Sequence, residues 1–217
     1  MSTAIRPPLL IIALLLGCLL QGCATPALVP DPVPDPVPDP VPDPVLDTAA
    51  PLEQQRIDEL EQAMLDLGDE IDPGEARNAA IIAIEYPLQL ALEYEITDSP
   101  LVHNFLVNIG AKPRGLCVDW THDLLVRLQQ ERFRSLQLHW GVANYDDAFR
   151  IEHSTVIISA RNQPLQQGLV LDPWRHSGQL FWAKTLEDPQ YHWRPHADVH
   201  AQKRERKALA QKRIETR

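Results

Sequence analysis

Two patterns predict an α+β domain with N-terminal helices packed on an antiparallel β-sheet. Between residues 52 and 132 the apolar side chains recur at helical spacing, with helix-start and helix-stop residues between the runs. After Arg134 they alternate, or gather in short β-rich runs broken by Asn, Gly and Pro. Helices first and strands afterwards favour segregated layers over alternating βαβ units.

The first predicted helix covers Leu52 to Leu67, with Leu52, Ile57, Leu60, Met64, Leu65 and Leu67 near helical spacing in an acidic background. Asp72-Pro73-Gly74-Glu75 reads as a turn and helix start, and Ala76 to Ile96 continues it. Pro87 lies inside that run and is expected to kink or split it, because proline lacks the N–H the helix needs. Ser99-Pro100 is an N-cap followed by proline at the first helical position, and Gly110 is a C-cap, giving a helix from about Pro100 to Ile109. A loop over Lys112 to Leu116 then delivers Cys117 to an amphipathic run ending near Arg132, with Trp120, Leu124 and Leu128 on its burial face. Leu136, Leu138 and Trp140 alternate as in a half-buried strand. Asn144 to Asp147 is a loop. Val156–Ser159, Gly168–Leu171 and Gln179–Ala183 are further strands, separated by Asn162-Gln163-Pro164 and by Arg175-His176-Ser177-Gly178.

Upstream of this domain the chain carries an export signal. Arg6 supplies positive charge and Leu9 to Leu20 an apolar run too short for a membrane-spanning helix. The run ends in Leu20-Gln21-Gly22-Cys23, which resembles the lipobox of bacterial lipoproteins; Leu15-Leu16-Gly17-Cys18 is a weaker match. That resemblance implies lipidation of Cys23. Ala24, standing where an aspartate would retain a lipoprotein at the inner membrane, implies the outer membrane, facing the periplasm. Pro-Asp-Pro-Val then repeats four times from Pro30 to Val45, a polyproline II spacer with too few apolar residues to build a core. The expected organisation is a signal peptide over 1–22, a lipidated tether over 23–50, a folded domain over 51–200 and a basic tail over 201–217.

Charge narrows the function further. The chain has a net charge of -10, although Gln202 to Arg217 hold seven Lys/Arg against two Glu. The remainder is therefore strongly acidic and lacks the basic footprint of a nucleic-acid-binding domain. The basic tail reads as a solvated or frayed helix.

Cysteine usage points to the chemistry. Exported cysteines usually pair, but once Cys23 is lipidated Cys117 has no partner in the mature chain. It sits at a helix start in Arg114-Gly115-Leu116-Cys117-Val118-Asp119-Trp120, where the helix dipole favours a thiolate. His153 heads one β-like stretch and Asp172 closes the next. This is the order a nucleophile, a proton-transferring imidazole and an orienting carboxylate require. Taken singly, each has an ordinary explanation: a buried small hydrophobe, a strand-end histidine, a turn residue before Pro173. Asp119 is read as a stabiliser of the first helical turn. The aromatic set Trp174, Phe181, Trp182, Tyr191 and Trp193 is read as core and cleft wall. His192, His196 and His200, with Asp198, have metal-ligand spacing on a helix, but Pro195 argues against that helix. His122 and His139 are read as partly buried polar residues.

Gly115, Cys117, Asp119, His153 and Asp172, in this element order over Arg114 to Trp182, resemble the core of the transglutaminase-like and papain-like cysteine hydrolases, and most closely the bacterial transglutaminase-like cysteine proteinases. The resemblance implies that core fold, with Cys117 as nucleophile, His153 as general base and acid, and Asp172 as orienting group. It implies no metal and no cofactor. No tryptophan precedes Cys117 to act as an oxyanion donor. The expected activity is cleavage of an amide bond in an envelope peptide or protein, with cell-wall peptides as a variant substrate. The alternative is a catalytically idle domain of the same fold acting as a binding or scaffold lipoprotein. Expected partners are that substrate and, through the anchor, a membrane, but no nucleic acid; oligomeric state stays open.

Overall fold

A computed structural model of the chain describes residues 49–215. The signal peptide, Cys23 and the Pro-Asp-Pro-Val tether lie outside the described residues. Within them the protein is α+β, with five α-helices and a five-stranded antiparallel sheet.

Four helices come first: α1 (Ala49–Leu65), α2 (Pro73–Glu93), α3 (Pro100–Asn108) and α4 (Cys117–Gln129). Their starts follow local chemistry. Asp72 caps α2 by accepting the Glu75 N–H at 3.0 Å, with Pro73 at the first position. Ile109 caps α3 at its C-terminus, and Gly110 beyond it takes a left-handed φ of 76°. Pro87 does not split α2, which runs as one helix through it. Ala83, Ile84, Pro87 and Leu90 are all buried there, so packing on both sides offsets the ~3 kcal/mol that an internal proline costs.

The strands are β1 (Leu136–Ala143), β2 (His153–Ala160), β3 (Leu169–Asp172), β4 (Phe181–Lys184) and the two-residue β5 (Arg194–Pro195), in the order β4-β3-β2-β1-β5. The central strand β2 is buried almost throughout. Its Val156 and Ile158 join Leu169 and Leu171 of β3 in the main core with Ile57, Leu60 and Met64 of α1, the alanine face of α2, and Leu124 and Leu128 of α4. Ile157 and Val170 point the other way, into a smaller cluster with Ala143, Leu165 and Trp193. His153 shares the parity of Ile157, and Asp172 that of Val170, so both belong to this second face.

The C-terminal residues form one further helix. Helix α5 (His196–Glu215) begins directly after Pro195, so the division at residue 200 falls inside a helix. The basic tail is the continuation of that helix, and it is exposed over most of its length. His192 lies outside the helix, and the three histidines do not share one face; His196 and His200 stack with ring centroids 4.1 Å apart.

Candidate active site

Cys117 is the first residue of α4, where N–H groups have no intrahelical acceptor. The turn before it is built by its neighbours. Asp119 Oδ2 accepts the N–H groups of Gly115 at 3.1 Å and Leu116 at 3.0 Å, and Trp120 Nε1 donates to Gly115 O at 3.0 Å. Gly115 has φ 121°, and a Cβ there would collide with Nε2 of the buried His103 and come within 2.7 Å of its Cδ2. The same Nε2–H donates to Arg114 O at 2.8 Å, because a carbonyl can only accept. Glycine at 115 is therefore what lets the loop close on α3 and present Cys117.

His153 opens β2 opposite Ala143 of β1. The residue before it, Glu152, places its carbonyl oxygen 3.8 Å from Cys117 Sγ. His153 Nε2 lies 2.7 Å from Asp172 Oδ2, and the carboxylate can only accept, so Nε2 carries the proton. Its other nitrogen, Nδ1, is buried without a hydrogen-bond partner among the described residues. Cys117, His153 and Trp174 line one cavity of about 220 Å³ together with Leu101, Asn144, Arg150, Ile151 and Tyr191. Burial opposes charge on the imidazole. The Asp172 carboxylate outweighs it by charge and by hydrogen bonding, the Cys117 sulfur adds to the same side, and the pKa is raised to about 9. The ring is contacted by three tilted aromatic rings, Trp174 at 4.6 Å, Tyr191 at 4.7 Å and Trp193 at 5.4 Å between centroids.

The structure thus brings Cys117, His153 and Asp172 to one site. Cys23, the predicted lipidation residue, is outside the described residues. Asp119 hydrogen-bonds the turn before the helix and does not line the cavity. His139 is half-buried and bonded to Ser159, whereas His122, expected to be partly buried, is largely exposed beside Asp123.

Sequence reasoning missed what stands behind Asp172. This aspartate is fully buried and accepts from the Arg175 backbone N–H at 3.3 Å and from Arg175 Nε at 3.1 Å. The same guanidinium donates twice to Asp188, at 3.1 and 2.8 Å. Asp188 also accepts from Gln190 N and Trp193 Nε1, both at 2.9 Å. Burial raises the Asp188 pKa less than Arg175, Gln190 and Trp193 lower it, so its carboxyl is held below the usual range. Arg175 further stacks over Phe181, 3.8 Å from the ring centroid. The one local signal was Arg175 three residues after Asp172; its pairing with Asp188 is a tertiary fact. Asn104 was missed as well: its Oδ1 accepts from Trp174 Nε1 at 3.0 Å and fixes the indole against His153.

No protein-family model matches the chain, and neither a curated protein nor a solved structure is similar to it.

Proposed function

We propose that this protein is a cysteine-dependent amide hydrolase with a core of the transglutaminase-like type. One observation carries the reading. A buried imidazole is bonded through Nε2 to a carboxylate, while its unpartnered Nδ1 shares a cavity with a helix-terminal cysteine. His103 also buries an unpartnered Nδ1, but it does not line the cavity of the cysteine; His153 does. Leaving a ring nitrogen free beside a sulfur is what proton transfer needs.

In this reading the resting site holds Cys117 beside a protonated His153. The Cys117 sulfur attacks the carbonyl carbon of a bound amide, a C–S bond forms, and the oxygen gains negative charge. The Cys117 backbone N–H, free at the helix start, serves as one donor to that oxygen. The C–N bond breaks as His153 gives its proton to the leaving amine, and a thioester remains. Neutral His153 then takes a proton from water, the resulting hydroxide attacks the thioester, the C–S bond breaks, and the acid product leaves with the sulfur anion and the protonated His153 of the resting site restored. Asp172 keeps the imidazole in the required tautomer throughout. None of these steps calls on a metal or a cofactor.

The lipobox-like Leu20-Gln21-Gly22-Cys23 supports placing the domain on the periplasmic side of an outer membrane, held by lipidated Cys23 and the proline-rich spacer. Its substrate would then be an envelope peptide or protein.

Alkylation of Cys117 tests the reading. Iodoacetamide labelling at pH 7 is expected to be at least tenfold slower in His153→Ala, because the charged partner of the sulfur is gone. Slow labelling in the wild type, accelerated by the same substitution, would instead mark an inert thiol and leave the binding-scaffold alternative in its place.

A further inference from the structure

Helix α3 is built inside out. Its buried side chains are His103 and Asn104, both polar, and both engaged in holding the site: one on the Cys117 loop, the other on Trp174. Leu101, Val102 and Phe105 on its exposed side are apolar. Leu101 is 59% exposed and Phe105, one turn further, 61%. A helix on a solvated surface places these classes the other way round. Ile151 of the cavity lining is likewise 59% exposed on the loop leading into β2, and Phe149, two residues before it, is 99% exposed.

Two of these residues reach the cavity that holds Cys117. Leu101 and Ile151 belong to its lining, and Trp174 and Tyr191 complete an apolar wall beside the sulfur. Two cations stand in the lining: protonated His153, and Arg150, whose guanidinium donates to Gln190 O at 2.8 Å and lies over Tyr191, 5.4 Å from the ring centroid. No carboxylate belongs to the lining. The site therefore offers a cationic substrate side chain nothing to pair with, an anionic one only a His153 already paired with Asp172 and an Arg150 already held by Gln190 O and Tyr191, and an aliphatic or aromatic one a surface to bury.

We infer that the substrate presents a bulky apolar residue beside the scissile amide, seated between Leu101 and Ile151. This rests on the hydrolase reading above and adds the substrate class: an apolar peptide segment rather than the carboxylate- and amine-rich peptides of a cell wall.

The test uses four N-acetyl aminoacyl acyloxymethyl ketones, built on Leu, Phe, Glu and Lys. In each, the Cys117 sulfur forms a C–S bond at the methylene carbon as the C–O bond breaks and the carboxylate leaves. Labelling of the full-length protein is followed by intact mass. The Leu and Phe probes are expected to react about tenfold to a hundredfold faster than the Glu and Lys probes, the factor expected for burying one such side chain. Leu101→Asp and, independently, Ile151→Asp should collapse that ratio. Leu186→Asp, on an exposed turn outside the cavity, should keep it. Equal rates for the four probes, or faster Glu or Lys labelling, overturn the inference. So does a concentration-dependent dimer that shields Cys117 from the Leu probe, which would assign the apolar face to a second copy. The iodoacetamide experiment separates the two levels. His153-dependent labelling without probe preference removes the substrate class alone, and labelling that ignores His153 removes the hydrolase reading beneath it.

Discussion

Asp172→Asn removes one charge from the centre of the buried network and leaves its shape intact. In the wild type the carboxylate answers His153 Nε2 at 2.7 Å, Arg175 Nε at 3.1 Å and the Arg175 N–H at 3.3 Å. An asparagine offers one accepting oxygen, and its NH₂ must point at a donor. Arg175 keeps Asp188, but its Nε–H, or else Nε2–H of His153, is left in the interior without an acceptor. Breaking one partner out of a buried charged pair costs about 3–5 kcal/mol, a large share of the roughly 5–15 kcal/mol that holds a domain together. Urea denaturation at pH 7 should therefore show a loss of that size with an unchanged m-value. The sequence alone, placing Asp172 at the close of a β-like stretch before Pro173, gives no reason for such a loss. A double-mutant cycle with Arg175→Met tests the cause: the two changes together should be less harmful than their sum by at least ~1 kcal/mol, because the second removes the Nε–H donor that the first had left without an acceptor. Burial disfavours the imidazolium and Asp172 is the main group opposing that, so the His153 pKa must also fall in the variant. An NMR titration of the ring reads it. A loss under ~1 kcal/mol, additive energies and an unmoved His153 titration would together refute the network as described.

Four further outcomes are expected. The His153 pKa is raised from 6.5 to about 9, so its contribution to stability is complete below pH 6.5 and is lost as pH rises through about 9; on the order of 3 kcal/mol should disappear over that window and be absent from His153→Gln, and parallel stability curves would contradict it. Gly115→Ala should cost about 2–4 kcal/mol, from its left-handed φ and the collision with His103, and should change Cys117 alkylation at the same time. A midpoint in urea within error of the wild type would show that the loop is not tight. Cys23→Ala should abolish incorporation of a palmitate analogue, and unchanged labelling would remove the anchor. Deleting Pro30 to Val45 should move the thermal midpoint by no more than ~2 °C, since such a segment buries almost nothing; a larger fall would mean that it packs on the domain.

The elements that sequence located best are those whose ends are chemically marked. Asp72-Pro73, Ser99-Pro100 and Gly110 set helix limits that the structure places within a residue or two. Strands β1 to β4 appear where branched and alternating residues predicted them. The elements missed have no local mark. Strand β5 is two residues long and exists only because β1 has a free edge to pair with. Pro87 predicted a break from backbone chemistry, and the buried side chains around it decided otherwise.

The site divides along the same line. Cys117, His153 and Asp172 are legible because each stands at an element boundary, where the chain order brings reactive groups together across the end of a sheet. Arg175 and Asp188 look in sequence like any other surface charges. Nothing local tells that each is the other's partner inside the fold, at 2.8 Å. Helix α3 is the sharper case. Its periodicity is helical whichever side faces inward, and hydrophobicity alone would turn Leu101 and Phe105 to the core. The structure buries His103 and Asn104 instead, and both have named acceptors or donors at the site. The bonds made by His103 Nε2 and Asn104 Oδ1 can hold a short helix in an orientation its own side chains would not choose, even though His103 Nδ1 is buried without a partner among the described residues, and Leu101 of the apolar surface left outside lines the cavity of Cys117. Where a fold sets aside the ordinary inside–outside rule, the exception is best sought next to the chemistry, and here it lies there.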